Sequence, residues 1–402
     1  MPDHRHIAKR LRVTDASLHP TSTPTSPPTF TPASTTIPIQ ATLVLTNATL
    51  IDGTGADPIP DAVVVIADER IIAVGPRAQV EIPAGVQVID LEGAFVLPGF
   101  INAHVHNAYD AGRLEAWAQA GVTTVRDEGI IFSSAQLADL IALRDQWAAL
   151  PEYARLVSTG YMLTVPGGYG QLAVTSAEDA RNQVNMELDA GVDLIKLAIE
   201  TGYAGTINLP NFTREELVAI IAAAHARGRL VTAHVTQAQY LHQVVTAGVD
   251  DAAHIPADYI TGGLIREMVE QDIYLVPTLT VLEAYGGLSG ATYNLGRMVE
   301  AGVSIALGND YTFIPQNNFD HFDLGMPMHE ITRMSEAGMT PMQIIVAATR
   351  NAAHVCGLEQ ELGTLEAGKL ADILILSADP LQDLSALSQV QMVIHSGVII
   401  RP

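Results

Sequence analysis

The chain has almost no cysteine. Cys356 is the only one in 402 residues, so no intrachain disulfide can form and any bound metal must take nitrogen and oxygen ligands. Basic residues are scarce too. Lys and Arg number 21 against 44 Asp and Glu, a formal charge of −23 that disfavours nucleic acid and anionic membrane surfaces, both of which need basic patches. A small molecule is the better-matched ligand, and homo-oligomerisation is left open. No apolar run reaches the length of about 18 residues that a membrane-spanning helix requires, so none is expected. Residues 1–19 carry Arg5, Lys9, Arg10 and Arg12 but lack the continuous apolar stretch of an export signal, which favours a cytoplasmic protein. Pro20 to Pro38 is almost entirely Thr, Ser and Pro, a composition that cannot bury enough surface to fold. Residues 1–38 therefore read as a disordered tether; such spacers are frequent in exported proteins, so export stays open.

What is present is a chain with 48% hydrophobic residues, enough for one large α/β domain and a smaller one. From Ala41 to about Gly93, short alternating strands such as Ala62-Val63-Val64-Val65-Ile66 are separated by turns such as Asp52-Gly53-Thr54-Gly55. The C-terminus repeats that texture in Ala371-Asp372-Ile373-Leu374-Ile375-Leu376 and Val390–His395. Residues 39–97 and 362–402 are thus expected to pair into one small β-sandwich.

Between them helix and strand alternate. Ala-Gly-Val recurs at 120–122, 190–192, 247–249 and 301–303, each time ending a helical stretch on glycine and entering an apolar strand. With the similar junction at Gly228, eight strands are predicted, near 98–104, 122–126, 155–160, 193–199, 230–234, 250–254, 273–278 and 303–308. Eight strands over roughly 260 residues suggest that 98–361 form a (β/α)₈ TIM-type barrel, for which about 250 residues is typical. Strand count does not by itself show closure, and a doubly wound sheet is the competing arrangement.

Polar residues interrupt these strands at telling places. His104 and His106 are two apart on a strand and point the same way. His234, His254 and Asp310 each end or follow a predicted barrel strand, at the face where such barrels place their active sites. Any one of them could be an ordinary hydrogen-bonded side chain. Together they describe a metal site. Lys196 lies inside Val192–Ile199, an apolar run in which a charged amine is costly. It could snorkel or pair with Glu200, but burial lowers a lysine pKa, and a neutral amine reacts with carbon dioxide to give a carbamate, an anionic ligand able to bridge two cations. His4, His6 and His19 fall in the tail, and His225 and His242 in helical stretches, so none joins the predicted site; His321 and His329 follow the last strand and could line the pocket.

Four segments carry a resemblance to the amidohydrolase superfamily that covers nearly everything after Thr36. They are Leu97-Pro98-Gly99-Phe100-Ile101-Asn102-Ala103-His104-Val105-His106, Gly121-Val122-Thr123-Thr124-Val125-Arg126-Asp127, the Lys196 strand, and Gly363-Thr364-Leu365-Glu366-Ala367-Gly368-Lys369-Leu370-Ala371-Asp372. Within it the chain most resembles the imidazolonepropionase-related branch, which includes prolidase-like dipeptidases, arginine carboxypeptidases and ochratoxin-type amidases. The resemblance implies two divalent ions, zinc being well suited to imidazole and carboxylate. His104, His106 and Asp310 would hold one, His234 and His254 the other, with carboxylated Lys196 and a hydroxide bridging them. It further implies hydrolysis of an amide or peptide-like C–N bond, in dipeptides or N-acyl amino acids, with Asp310 moving the proton. Three departures stand near the substrate. Gly167-Gly168-Tyr169 replaces a frequent Gly-Gly-His, Ala253-His254-Ile255-Pro256 replaces Glu-His-Gly, and Gly308-Asn309-Asp310 replaces Gly-Thr-Asp. Tyr169 becomes a candidate substrate contact. Rival readings are a lactonase or phosphotriesterase on the same ion pair, a mononuclear deaminase, which Lys196 disfavours, and an inactive scaffold.

Overall fold

The computed structural model describes residues 40–131, 135–202, 208–312 and 322–402. The predicted tether and His321 lie outside the described residues. The first elements are β1 (Leu43–Leu50), β2 (Ile59–Ala67), β3 (Arg70–Pro76), β4 (Gln87–Asp90) and β5 (Phe95–Pro98). Then the texture changes to β6 (Phe100–Val105), β7 (Val122–Asp127), β8 (Arg155–Ser158), the short β9 (Leu163–Thr164) and β10 (Leu172–Ala173), β11 (Ile195–Ile199), β12 (Val231–Val235), β13 (Asp251–Ala253) and β14 (Tyr274–Val276), with helices between most of them. Three of the Ala-Gly-Val junctions act as helix stops: Gly191, Gly248 and Gly302 sit at φ 103°, 90° and 91°, the left-handed cap that glycine adopts without strain.

β6, β7 and β8 pair in parallel as one sheet, and the order β10-β9-β11-β12-β13-β14 forms a second, also parallel. Every residue of β6, β7, β11 and β12 is buried, as expected for parallel strands covered on both faces. Seven of the eight predicted strands are present. The eighth, 303–308, forms no ladder of its own; Ile305 makes one bridge to Leu275 and Tyr311 one to Val105. Single backbone bonds still tie this segment to both neighbours: Ala306 N to Leu275 O at 2.9 Å, Ala103 N to Leu307 O at 2.8 Å, and Asp310 N to His104 O at 2.9 Å. Gly308 marks the closest approach, because a Cβ there would stand 2.8 Å from the His104 nitrogen and 2.5 Å from Val276. The β9–β10 pair, which the sequence pattern did not reveal, frames the Gly-rich loop carrying Tyr169.

The chain then returns through β15 (Ile373–Leu376), β16 (Val390–His395) and β17 (Val398–Arg401). β15 lies antiparallel to β5 in the register Ile373↔Pro98 to Leu376↔Phe95. Strands from both chain ends thus share one eight-stranded sheet, β17-β16-β15-β5-β1-β2-β3 with β4 beside β1. Its side chains alternate between faces. Leu43 and Leu45 pack with Val64, Ile373 and Ile375, while Val44 packs with Val63 and Val65 in a separate cluster.

One buried carboxylate caps the helix that walls the cavity described below. The helix Leu279–Ala284 follows Thr278, whose side chain does not cap it. Instead Glu330, fully buried, accepts from Leu279 N at 2.8 Å, Thr280 N at 2.7 Å and Thr280 Oγ1 at 2.7 Å. Burial outweighs these donors and pushes the carboxyl up to about 7. Because the folded value lies above the unfolded one, the stability it contributes is full below the unfolded pKa of 4.5 and is lost as pH rises through about 7. The change is of the order of 3 kcal/mol. Thermal unfolding from pH 5 to 7.5 should therefore show a midpoint that falls with pH, with a flatter profile in Glu330→Gln; an equal slope in both proteins would contradict this.

Candidate metal centre

The predicted ligands converge. His104 and His106 project from the end of β6, and His104 Nε2 lies 3.4 Å from His106 Nε2. Asp310 Oδ1 completes a triangle, 3.2 Å from His104 Nε2 and 3.3 Å from His106 Nε2. His254 follows β13, with its ring 4.8 Å from that of His104 and 4.5 Å from that of His234, which comes from β12. Ligand atoms of His104, His254 and Asp310 lie within 4.8 Å of one another. Ligands about 2.0–2.1 Å from a single tetrahedral ion stand roughly 3.3–3.4 Å apart, which is the spacing of the His104, His106 and Asp310 triangle. Asp310 Oδ1 is buried and has no hydrogen-bond partner, so an acceptor faces two imidazole nitrogens with no donor assigned to it. The donor set fits a divalent cation.

Electrostatics and backbone support the same reading. Burial lowers His104 to about 4 and also depresses His234 and His254, with the Lys196 charge acting in the same direction, which favours the neutral form of each ring, the form that ligates a metal. His106 differs: burial pulls it down, but Asp310 and Asp127 raise it overall. His106 Nδ1 stands 2.9 Å from Gly129 O, and donation there leaves its Nε2 lone pair facing the triangle. His254 Nδ1 is 2.7 Å from Thr278 Oγ1. Burial would raise Asp310, yet His104, His106 and His254 outweigh it and hold the carboxyl well below the usual range. Asn107, His254, Thr278 and Asp310 all have positive φ, 56°, 70°, 48° and 56°. Asparagine, aspartate and histidine tolerate this conformation, whereas at the β-branched Thr278 it costs on the order of 1–3 kcal/mol.

The Gly-Asn-Asp departure has a structural partner. Asn309 Oδ1 accepts from Asn102 Nδ2 at 2.8 Å and from Tyr311 N at 3.2 Å, and Asn102 Oδ1 accepts from Asn309 N at 3.3 Å. This clips the His104 and Asp310 segments together.

Lys196 lies in β11, 1% exposed, beneath the histidines. Its anionic partner is Glu128, not Glu200: Nζ contacts Glu128 Oε2, while the other oxygen lies 2.6 Å from Arg126 Nε. Arg126 in turn grips both oxygens of Asp251 at 2.9 and 3.0 Å. Glu200 instead faces His234 Nε2 at 3.3 Å and Thr236 Oγ1. Sequence reasoning missed Glu128, although a carboxylate directly after Val-Arg-Asp, one residue past β7, was the available signal. Tyr169 does reach the site, its ring 4.7 Å from that of His234. His329 pairs with Glu283 at 2.6 Å, and His225 with Asp250 at 2.8 Å.

A family model described as the amidohydrolase family matches residues 95–400, three quarters of the chain. The chain belongs to the amidohydrolase family. Its members are metallo-dependent hydrolases that generally use divalent metals, and their α/β TIM-type barrel is the fold class here. An imidazolonepropionase of Symbiobacterium thermophilum is 29% identical over 369 residues, 79% of this chain and 84% of that protein. An ochratoxinase of Aspergillus niger is 28% identical over 412 aligned residues, 86% of this chain and 83% of that one. Among solved structures, a Xaa-Pro dipeptidase superposes with a TM-score of 0.78 at 24% identity, covering 90% of this chain and all of that one.

Proposed function

We propose that this amidohydrolase cleaves an amide or peptide-like C–N bond at a binuclear centre. His104, His106 and Asp310 would hold one divalent ion, His234 and His254 the other, and a carbamate on Lys196 would bridge them. The observation that carries the reading is the triangle of His104 Nε2, His106 Nε2 and Asp310 Oδ1, with the His254 and His234 rings against it. Two divalent ions, for which zinc suits this donor set, would acidify a water molecule and polarise the scissile carbonyl.

The protein's own groups do the rest. Asp310 takes the proton of the attacking water and delivers it to the leaving amine. Tyr169, over His234, is positioned to meet the substrate carbonyl. Carboxylation of Lys196 requires a neutral amine that leaves its ion pair with Glu128; Arg126, 2.6 Å from the other Glu128 oxygen, keeps a positive charge beside that carboxylate. The same proposal treats the two parallel sheets as one closed barrel over 98–361, supported by the single bonds through 303–310 and by Asp193 N to Ser158 O at 2.8 Å. It likewise reads 39–97 with 362–402 as a β-sandwich domain, supported by the separate apolar clusters on the faces of the shared sheet.

The relatives named above support amide chemistry; dipeptides and N-acyl amino acids, the classes the resemblance implies, are to be compared with neutral amides. The test is a hydrolysis screen of metal-loaded protein over dipeptides, N-acyl amino acids, neutral amides, lactones and organophosphates. Turnover confined to C–N substrates is expected. Turnover confined to lactones or phosphotriesters would overturn the C–N assignment while leaving the metal centre in place.

A further inference from the structure

The cavity above the histidines holds about 460 Å³, within the range of small-molecule sites. Its walls are apolar and aromatic: Ile131, Met162, Leu209, Val281 and Phe322, with the rings of Tyr169 and Tyr285. Apart from the histidines and Asp310, its polar groups among the described residues are the side chains of Gln171 and Thr312 and the hydroxyls of Tyr169 and Tyr285. Gln171 Oε1 already accepts from Met162 N at 3.1 Å. No Lys or Arg lines it among the described residues. The internal segments outside the described residues, 132–134, 203–207 and 313–321, contain no Lys or Arg in their sequences and one imidazole, His321. Arg333 is already committed, to Glu283 at 2.7 Å and to Glu336 at 2.6 Å. Lys196 is buried against Glu128.

A free carboxylate carried into such a cavity would lose its hydration without gaining a guanidinium or ammonium partner. Its remaining cationic anchor would be the metal centre itself, where it would compete with the scissile carbonyl. Resting on the C–N hydrolase reading, we propose that the substrate is an uncharged amide with an apolar or aromatic group beside the scissile bond, and that amides carrying a free α-carboxylate are discriminated against.

The experiment compares matched amides on the metal-loaded, full-length protein. Each pair joins an N-acyl amino acid to the same compound lacking its carboxylate, for example N-benzoyl-L-phenylalanine and N-benzoyl-2-phenylethylamine. The neutral member should have a kcat/KM higher by at least about 100-fold, the discrimination expected when one ligand leaves a buried polar group unpaired. Equal or faster turnover of the acids would overturn this inference and leave the C–N reading standing. Hydrolysis of lactones or phosphotriesters with no amide cleaved would instead overturn the C–N reading, and this inference with it. Leu209→Arg, at a partly exposed wall position, should narrow the ratio by about 10-fold or more through a lower KM for the acids. A folded variant with an unmoved ratio would also count against the proposal.

Discussion

Asp310→Asn should lower kcat by about 10²–10⁴-fold, the usual contribution of positioned acid–base catalysis, or roughly 3–5 kcal/mol of transition-state stabilisation. Metal retention should suffer far less. The substitution preserves an oxygen facing His104 and His106 and suits the backbone, because asparagine tolerates the left-handed conformation that Asp310 adopts at φ 56°. What it removes is the basic carboxylate. The comparison requires single-turnover kinetics and metal analysis on the same sample. A variant that keeps its ions and hydrolyses substrate at the wild-type rate would show that another group moves the proton, and His254 would be the next to test.

Lys196→Ala should be at least as damaging, through a different step. If the lysine carries the bridging carbamate, its loss removes a ligand from both ions, so one or both should dissociate. Activity should fall by more than the about 10–100-fold typical of residues that only orient a ligand. A short carboxylic acid such as acetate, small enough to occupy the vacated space, should restore part of both metal content and activity. An amine that serves solely as the ion-pair partner of Glu128 predicts something else: a less stable protein, with a buried carboxylate stripped of one partner, whose metals and activity are kept. Full occupancy and turnover in Lys196→Ala would end the bridging role.

Much of the alternating helix and strand region was legible because its signals are local. Glycine after a helical stretch followed by an apolar run marks a helix stop and a buried strand, and Gly191, Gly248 and Gly302 behave that way. The pairing of β15 with β5 was foreshadowed only by matching textures at both ends, since nothing local encodes which strand a distant one will meet. The segment 303–308 reads as a strand from its apolar residues, but Gly308 and the left-handed Asp310 are set by contact with His104 and Asn102, on another strand. The candidate site residues were legible for a related reason: histidine, aspartate and lysine are conspicuous in apolar strands. Glu128 was harder to find, because it follows Arg126 and Asp127 and reads as one more charge at a strand end. Only the fold, which brings the residue after β7 to Lys196 on β11, gives it that partner. Of the cavity wall only Tyr169 was legible; the rest is assembled from Ile131, Met162, Leu209, Val281 and Phe322 on separate loops and helices.

The central claim is that this chain works as a two-ion hydrolase. The most direct test is the metal content of purified protein titrated against its amide-hydrolysing activity, from chelator-stripped to fully loaded. Activity should be absent in the stripped protein and reach its maximum near two divalent ions per chain. Full activity in metal-free protein, or a maximum at one ion with no further binding, would contradict it.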